Sequence, residues 1–124
     1  MSFETPKDLC GEIVRSLDNH KAAAIKVINV HALTSIADYF VIAEGTSSTQ
    51  VRSFTDYVEF DLKAHGVEPL RTEGYRNSSW VLLDYGCVVV HVFMKETRDF
   101  YNLEHLWKDG VDIDIAQFLE NNEK

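Results

Sequence analysis

The sequence predicts an α+β domain, a mixed sheet of about five strands with helices packed on it. Three observations carry the prediction. A chain of 124 residues with 45% apolar content can bury one core of ordinary domain size. Its segments switch between apolar stripes at helical spacing and runs rich in β-branched residues. Their order is helix, two strands, helix, three strands, helix, which the layer rules turn into helices lying on a sheet. One domain over residues 1–124 is expected, with a core from about residue 5 to 110 and a tail from 111 to 124.

Thr5 before Pro6 starts the first helix, because threonine can cap free amides and proline at the first helical position forfeits no hydrogen bond. Leu9, Ile13 and Leu17 then recur at a spacing of four, one buried stripe running to about Asn19. AAIKVINV, residues 23–30, reads as a strand interrupted by Lys26 and Asn29, and DYFVIAEGT, from Asp38, as a second. HALTSIA between them is too short for a crossover helix and reads as a connection with at most one helical turn. Gly45 and Thr46 end the second strand, and Ser47 and Gln50 have capping-box spacing at the head of a long helix. Val51, Phe54, Val58 and Leu62 mark that helix's buried face, and Gly66 is placed to end it.

A short strand at residues 70–73 and a polar turn precede two apolar runs split by Tyr85 and Gly86. Strands so closely joined must pair antiparallel. VVVHVF is apolar at almost every position and therefore reads as a central strand covered on both faces. Thr97 is expected to cap the last major helix, RDFYNLEHLW, with Phe100, Leu103 and Trp107 on one side and Gly110 closing it. The tail VDIDIAQFLENNEK is expected to add a short helix and then fray.

A formal net charge of −8, from 20 acidic and 12 basic side chains, argues against a protein that binds nucleic acid directly and suits a basic protein partner. The longest uncharged apolar stretch, residues 87–94, is far short of the ~20 residues of a membrane-spanning helix. MSFETPKDLCGEI lacks the basic region and unbroken apolar run of a signal peptide, and Cys10 and Cys87 have neither metal-ligand nor redox-motif spacing. A cytoplasmic protein with two reduced thiols and no membrane attachment is expected.

Asp112 and Asp114 are the one enzymatic suggestion. Carboxylates at alternate strand positions can point at one magnesium ion, so a small magnesium-dependent nucleotidyltransferase is the alternative function. An expected helix start beside them favours capping instead, and no glycine-rich phosphate loop precedes them at a useful distance. Gly45, Thr46, Ser47 and Ser48 could present amides to a phosphate, but without a lysine or second glycine they read as turn and cap residues. The 5 histidines include no pair at the three- or four-residue spacing of shared metal ligands. His91, inside an apolar strand, should have a lowered pKa and need a hydrogen-bond partner, and it reads as a satisfied core histidine. No catalytic residue, metal or cofactor is expected.

Read together, DYFVIAEGTSSTQ, EGYRNSSWVLLDYGCVVVHVF and RDFYNLEHLW resemble the ribosomal silencing factor family, also called Iojap-related proteins, over roughly residues 23–110. The matching positions are Asp38 to Ile42, Gly45, Ser47 and Gln50, then Glu73, Gly74, Trp80, Asp84, Tyr85, Gly86 and Val88 to His91. Arg98, Tyr101, Leu103, Glu104, Leu106 and Trp107 complete the set. Cys87 departs from it, standing where the family pattern has aspartate, which removes a charge at a strand start.

The resemblance implies a fold similar to nucleotidyltransferases without their catalytic carboxylates. It also implies a translation repressor that binds the large ribosomal subunit through its protein fourteen and sterically blocks joining of the small subunit, mainly under nutrient limitation. The expected partner-binding residues are Trp80, Asp84, Tyr85, Arg98, Tyr101, Glu104, Leu106 and Trp107, the aromatics among them divided between interface and core. The resemblance and the long apolar strand also permit a homodimer.

Overall fold

The computed structural model describes residues 3–120. In chain order the elements are α1 (Pro6–Asn19), β1 (Ala23–Asn29), β2 (Tyr39–Gly45), α2 (Ser48–Lys63), β3 (Arg71–Glu73), β4 (Trp80–Asp84), β5 (Val88–Met94), α3 (Lys95–Tyr101), α4 (Leu103–Leu106), β6 (Val111–Ile113) and α5 (Ala116–Glu120). Local chemistry sets the main helix starts. Extended Thr5 accepts a hydrogen bond from the Asp8 N–H at 3.1 Å, and Ser47 accepts from the Gln50 N–H at 3.1 Å. The Gln50 side-chain oxygen Oε1 in turn accepts from the Thr46 N–H at 2.6 Å, so the box at α2 closes one residue ahead of the cap itself.

The six strands form one mixed sheet in the order β3-β4-β5-β2-β1-β6, with β2 and β5 parallel and every other neighbouring pair antiparallel. The α+β class and the central, doubly covered position of β5 follow the sequence pattern. The sixth strand comes from the tail, where Val111 pairs with Asn29 and Ile113 with Val27.

Alternation along the strands divides the core in two. On one face Val41, Ala43, Val81, Leu83, Val88, Val90 and Val92 pack under Leu9, Ile13 and Leu17 of α1 and Val51, Phe54, Val58 and Leu62 of α2. On the other, Ile28, Phe40, Ile42, Val89 and Phe93 pack with Leu103, and Trp80, Leu82 and Trp107 are half-buried beside them. Two long helices cover the first face. Among the described residues the second has only the short α3 and α4, so aromatic side chains reach solvent there.

Four expectations for the last third are corrected. The helix from Arg98 to Trp107 is two helices, broken at Asn102, which adopts a left-handed conformation with φ 50°. Thr97 lies inside α3 rather than capping it, because the strand runs directly into the helix at Met94. The break turns Phe100 outward, 80% exposed, away from the side where Leu103 is buried. Gly110 serves a strand contact rather than a helix end: a Cβ there would lie 2.5 Å from Ile28 Cγ2 and 2.9 Å from the Asn29 carbonyl oxygen. That close approach brings the chain alongside β1 for β6.

The tail also enters the core. Phe118 is buried against α1, and its carbonyl accepts a hydrogen bond from Arg15 Nη1 at 3.2 Å. Packed structure therefore continues past the expected core limit near residue 110, while the expected fraying at 121–124 falls outside the described residues. Among the described residues no helix is long and apolar enough to cross a membrane.

Candidate partner-binding face

Trp80 opens β4 opposite Phe93, and that register puts its indole on the thinly covered face of the sheet. Three ring contacts run outward from the core. Trp80 lies 4.8 Å from Phe93 and 5.0 Å from Tyr101 between centroids, and Tyr101 meets Phe100 edge-on at 5.0 Å. Exposure rises along this run: Phe93 is buried, Trp80 half-buried, Tyr101 55% exposed and Phe100 80%. Leu106 on α4 is also 73% exposed. Aromatic side chains anchored at one end and open at the other are the usual hot-spot type at protein interfaces.

The other expected site residues sit differently. Arg98 is buried, donating to Glu44 Oε1 at 3.0 Å, to Glu104 Oε2 at 2.7 Å and to the Ala24 carbonyl at 2.8 Å. Ala24 has φ 51° at the irregularity that splits the β1 register, so Arg98 ties α3 to a strained point of the sheet. Burial alone would push the Glu104 carboxyl up, but the hydrogen bond and charge of Arg98 hold it below its ordinary range. Arg98 and Glu104 thus brace the exposed helices from inside. Trp107 packs edge-on against Phe40 at 5.0 Å, which makes it a support as well.

Tyr85 and Asp84 are not gathered with the exposed aromatics. Tyr85 follows Val81 and Leu83 in strand parity and is buried on the opposite face under α1 and α2, where its hydroxyl lacks a hydrogen-bond partner among the described residues and burial pushes the phenol pKa up. Asp84 lies at the far end of β4 from Trp80, roughly 13 Å away by strand rise. Its carboxylate accepts from Arg71 Nε at 3.1 Å and from the Gly86 N–H at 2.8 Å, which orders the turn into β5.

His91 lies opposite Leu82 on the aromatic face. Burial pushes its pKa down to about 4, so it is neutral near pH 7. Its Nδ1 accepts the Trp80 indole N–H at 3.1 Å, whereas its Nε2 is buried without a partner among the described residues. The expected satisfied core histidine is thus satisfied at one nitrogen.

Asp112 and Asp114 take structural roles. Asp112 pairs with Lys26 at 3.6 Å, and Asp114 accepts from the Ala116 N–H at 3.0 Å at the start of α5. Among the described residues no group of three His, Cys, Asp or Glu side chains is placed to hold a metal ion. Cys10 and Cys87 are both free thiols, and burial raises the pKa of each. Cys87 lies close enough to Asp38 for that charge to push it up further, so the thiol puts no second carboxylate beside Asp38.

Phe100 is a surface residue that periodicity alone placed on one side with Leu103 and Trp107. Asn102 held the missing signal, since asparagine enters the left-handed region that interrupts a helix more readily than most residues do.

Residues 3–124 match the family described as "Ribosomal silencing factor during starvation". A ribosomal silencing factor from Halalkalibacterium halodurans is 39% identical over 82% of this chain and 87% of its own. A crystal structure of a Chromobacterium violaceum protein superposes with a TM-score of 0.82 at 33% identity, covering 84% of this chain and 87% of that one. A mouse protein named for mitochondrial assembly of the ribosomal large subunit is 34% identical over 85% of this chain, which spans about half of it, 48%.

Proposed function

The chain belongs to the ribosomal silencing factor family, ribosome-associated repressors of translation rather than enzymes, and from that premise we propose how it acts. It binds the large ribosomal subunit through protein fourteen and occupies the surface on which the small subunit must dock. The act is steric occlusion in the cytoplasm, used mainly when nutrients are limiting. The run Trp80, Tyr101 and Phe100, open to solvent on the thinly covered face, carries this reading because it is the built aromatic surface that the rest of the fold braces. Leu106 adds apolar area, while the net charge of −8 favours fast encounter with a basic ribosomal protein.

Capture of purified large-subunit protein fourteen tests the reading. Trp80→Ala, Tyr101→Ala and Leu106→Ala, each folded, are expected to weaken capture by about tenfold or more, the range of an interface anchor. Capture by all three at parental affinity overturns the surface. A homodimer would cover the same apolar face, so light scattering at the binding concentrations shows whether self-association competes with the partner.

A further inference from the structure

An imidazole in an apolar strand is a poor choice for packing alone. His91 is 5% exposed on β5, with Phe40 edge-on at 5.1 Å and Phe93 stacked at 6.3 Å. Because Nδ1 accepts from the Trp80 indole at 3.1 Å, the neutral ring must carry its proton on Nε2, and that N–H is buried with no partner among the described residues. A phenylalanine of similar shape would leave no buried donor unmade. What the histidine supplies and phenylalanine would not is an acceptor beneath Trp80.

That acceptor acts on a side chain with a choice of orientation. Trp80 is half-buried at the strand start, against Phe93 inside and Tyr101 outside. Apolar contact alone discriminates weakly between an indole and the same indole turned over about its ring axis, since either arrangement buries nearly the same area. One directional hydrogen bond removes that degeneracy. We propose that His91 is a positioning residue for partner binding, its Nδ1 fixing the Trp80 indole in the orientation that sets its open edge beside Tyr101. This rests on the aromatic face being the contact surface. The ordering is done before the partner arrives, so binding does not have to pay for it.

The test has one arm without a partner and one with it. In the free protein, His91→Phe keeps the ring but removes the acceptor. The Trp80 indole N–H resonance is expected to move upfield and exchange faster with water, and His91→Asn, whose amide oxygen reaches the Nδ1 position, is expected to restore part of the shift. With purified large subunits, His91→Phe is expected to weaken binding about threefold to tenfold, the range of one neutral hydrogen bond. In a Trp80→Phe background the same substitution is expected to add nothing, because the donor is already gone.

An unchanged indole resonance in His91→Phe overturns the positioning role whatever the partner does. An equal loss of binding with and without the Trp80 indole also overturns it, since His91 would then act by another route. If Trp80→Ala binds as well as the parent, the link to binding fails, and the surface fails with it when Tyr101→Ala and Leu106→Ala also bind at parental affinity, while the indole resonance still separates that failure from a failure of the hydrogen bond. Should His91→Phe not fold, Trp80→Phe and His91→Asn carry the comparison, and parental binding by Trp80→Phe counts against the proposal.

Discussion

Arg98 donates from Nη2 to Glu104 Oε2 at 2.7 Å across the break at Asn102, joining the two short helices that carry the exposed aromatic and aliphatic side chains. The same guanidinium reaches Glu44 on β2 and the carbonyl of Ala24 on β1. Removing it leaves two largely buried carboxylates uncompensated, an arrangement that destabilises folded proteins strongly. Arg98→Ala is expected to lower stability by about 3 kcal/mol in urea unfolding. Arg98→Lys is expected to recover only part of this, because an ammonium cannot span the three acceptors as the planar fork does.

Tyr101 and Leu106 are expected to behave in the opposite way. Both are mostly exposed, so Tyr101→Ala and Leu106→Ala should shift unfolding by less than about 1 kcal/mol while weakening capture of the large subunit. Paired urea and binding curves separate support residues from contact residues. Substantial unfolding by these two variants would count against their assignment.

Tyr85→Phe is expected to leave binding at the parental value and stability equal or slightly higher. The hydroxyl is buried without a partner among the described residues, so its removal deletes an unmet polar group at little loss of volume. A clear loss of binding would place Tyr85 back on the contact surface.

His91 links stability to pH. Its folded pKa, about 4, lies below its ordinary 6.5 because burial disfavours the charged ring. The unfolded chain therefore takes up the proton first, so the stabilising difference is complete above about 6.5, declines as pH falls and is lost by about 4. Its size is on the order of 3 kcal/mol. Urea unfolding of the parent and His91→Phe from pH 7 to pH 4 should show a steeper decline for the parent. Parallel curves would contradict the burial of a neutral imidazole.

Gly74 has φ 81°, and a Cβ there would lie 2.0 Å from the Trp80 carbonyl oxygen. Gly74→Ala is expected to destabilise by more than about 1 kcal/mol and to disturb Trp80, readable as a shift in tryptophan fluorescence. An unchanged spectrum with parental stability would contradict the tight approach.

The parts of the fold legible in the sequence were those decided locally. Thr5 and Ser47 named their helices through cap chemistry, and the run of residues 88–93, apolar at every position but His91, identified the central strand. Trp80 and Tyr101 were legible as candidate anchors because surplus aromatics stood out beside a strand and a helix, and the structure brings their rings together. Tyr85 could have been assigned inward by counting alternate positions from Val81, a parity that family resemblance does not convey. Arg98 offered no such count. Its partners Glu44 and Ala24 are 54 and 74 residues away in sequence, and only the completed sheet brings them within reach.

Subunit joining tests the central claim most directly. Purified large subunits preincubated with the protein, then mixed with small subunits and separated on a sucrose gradient, are expected to remain apart and to carry the protein in the large-subunit peak. The same experiment with Trp80→Ala or Tyr101→Ala should restore joined ribosomes. Full joining in the presence of excess parental protein, or its absence from the large-subunit peak, would contradict the account.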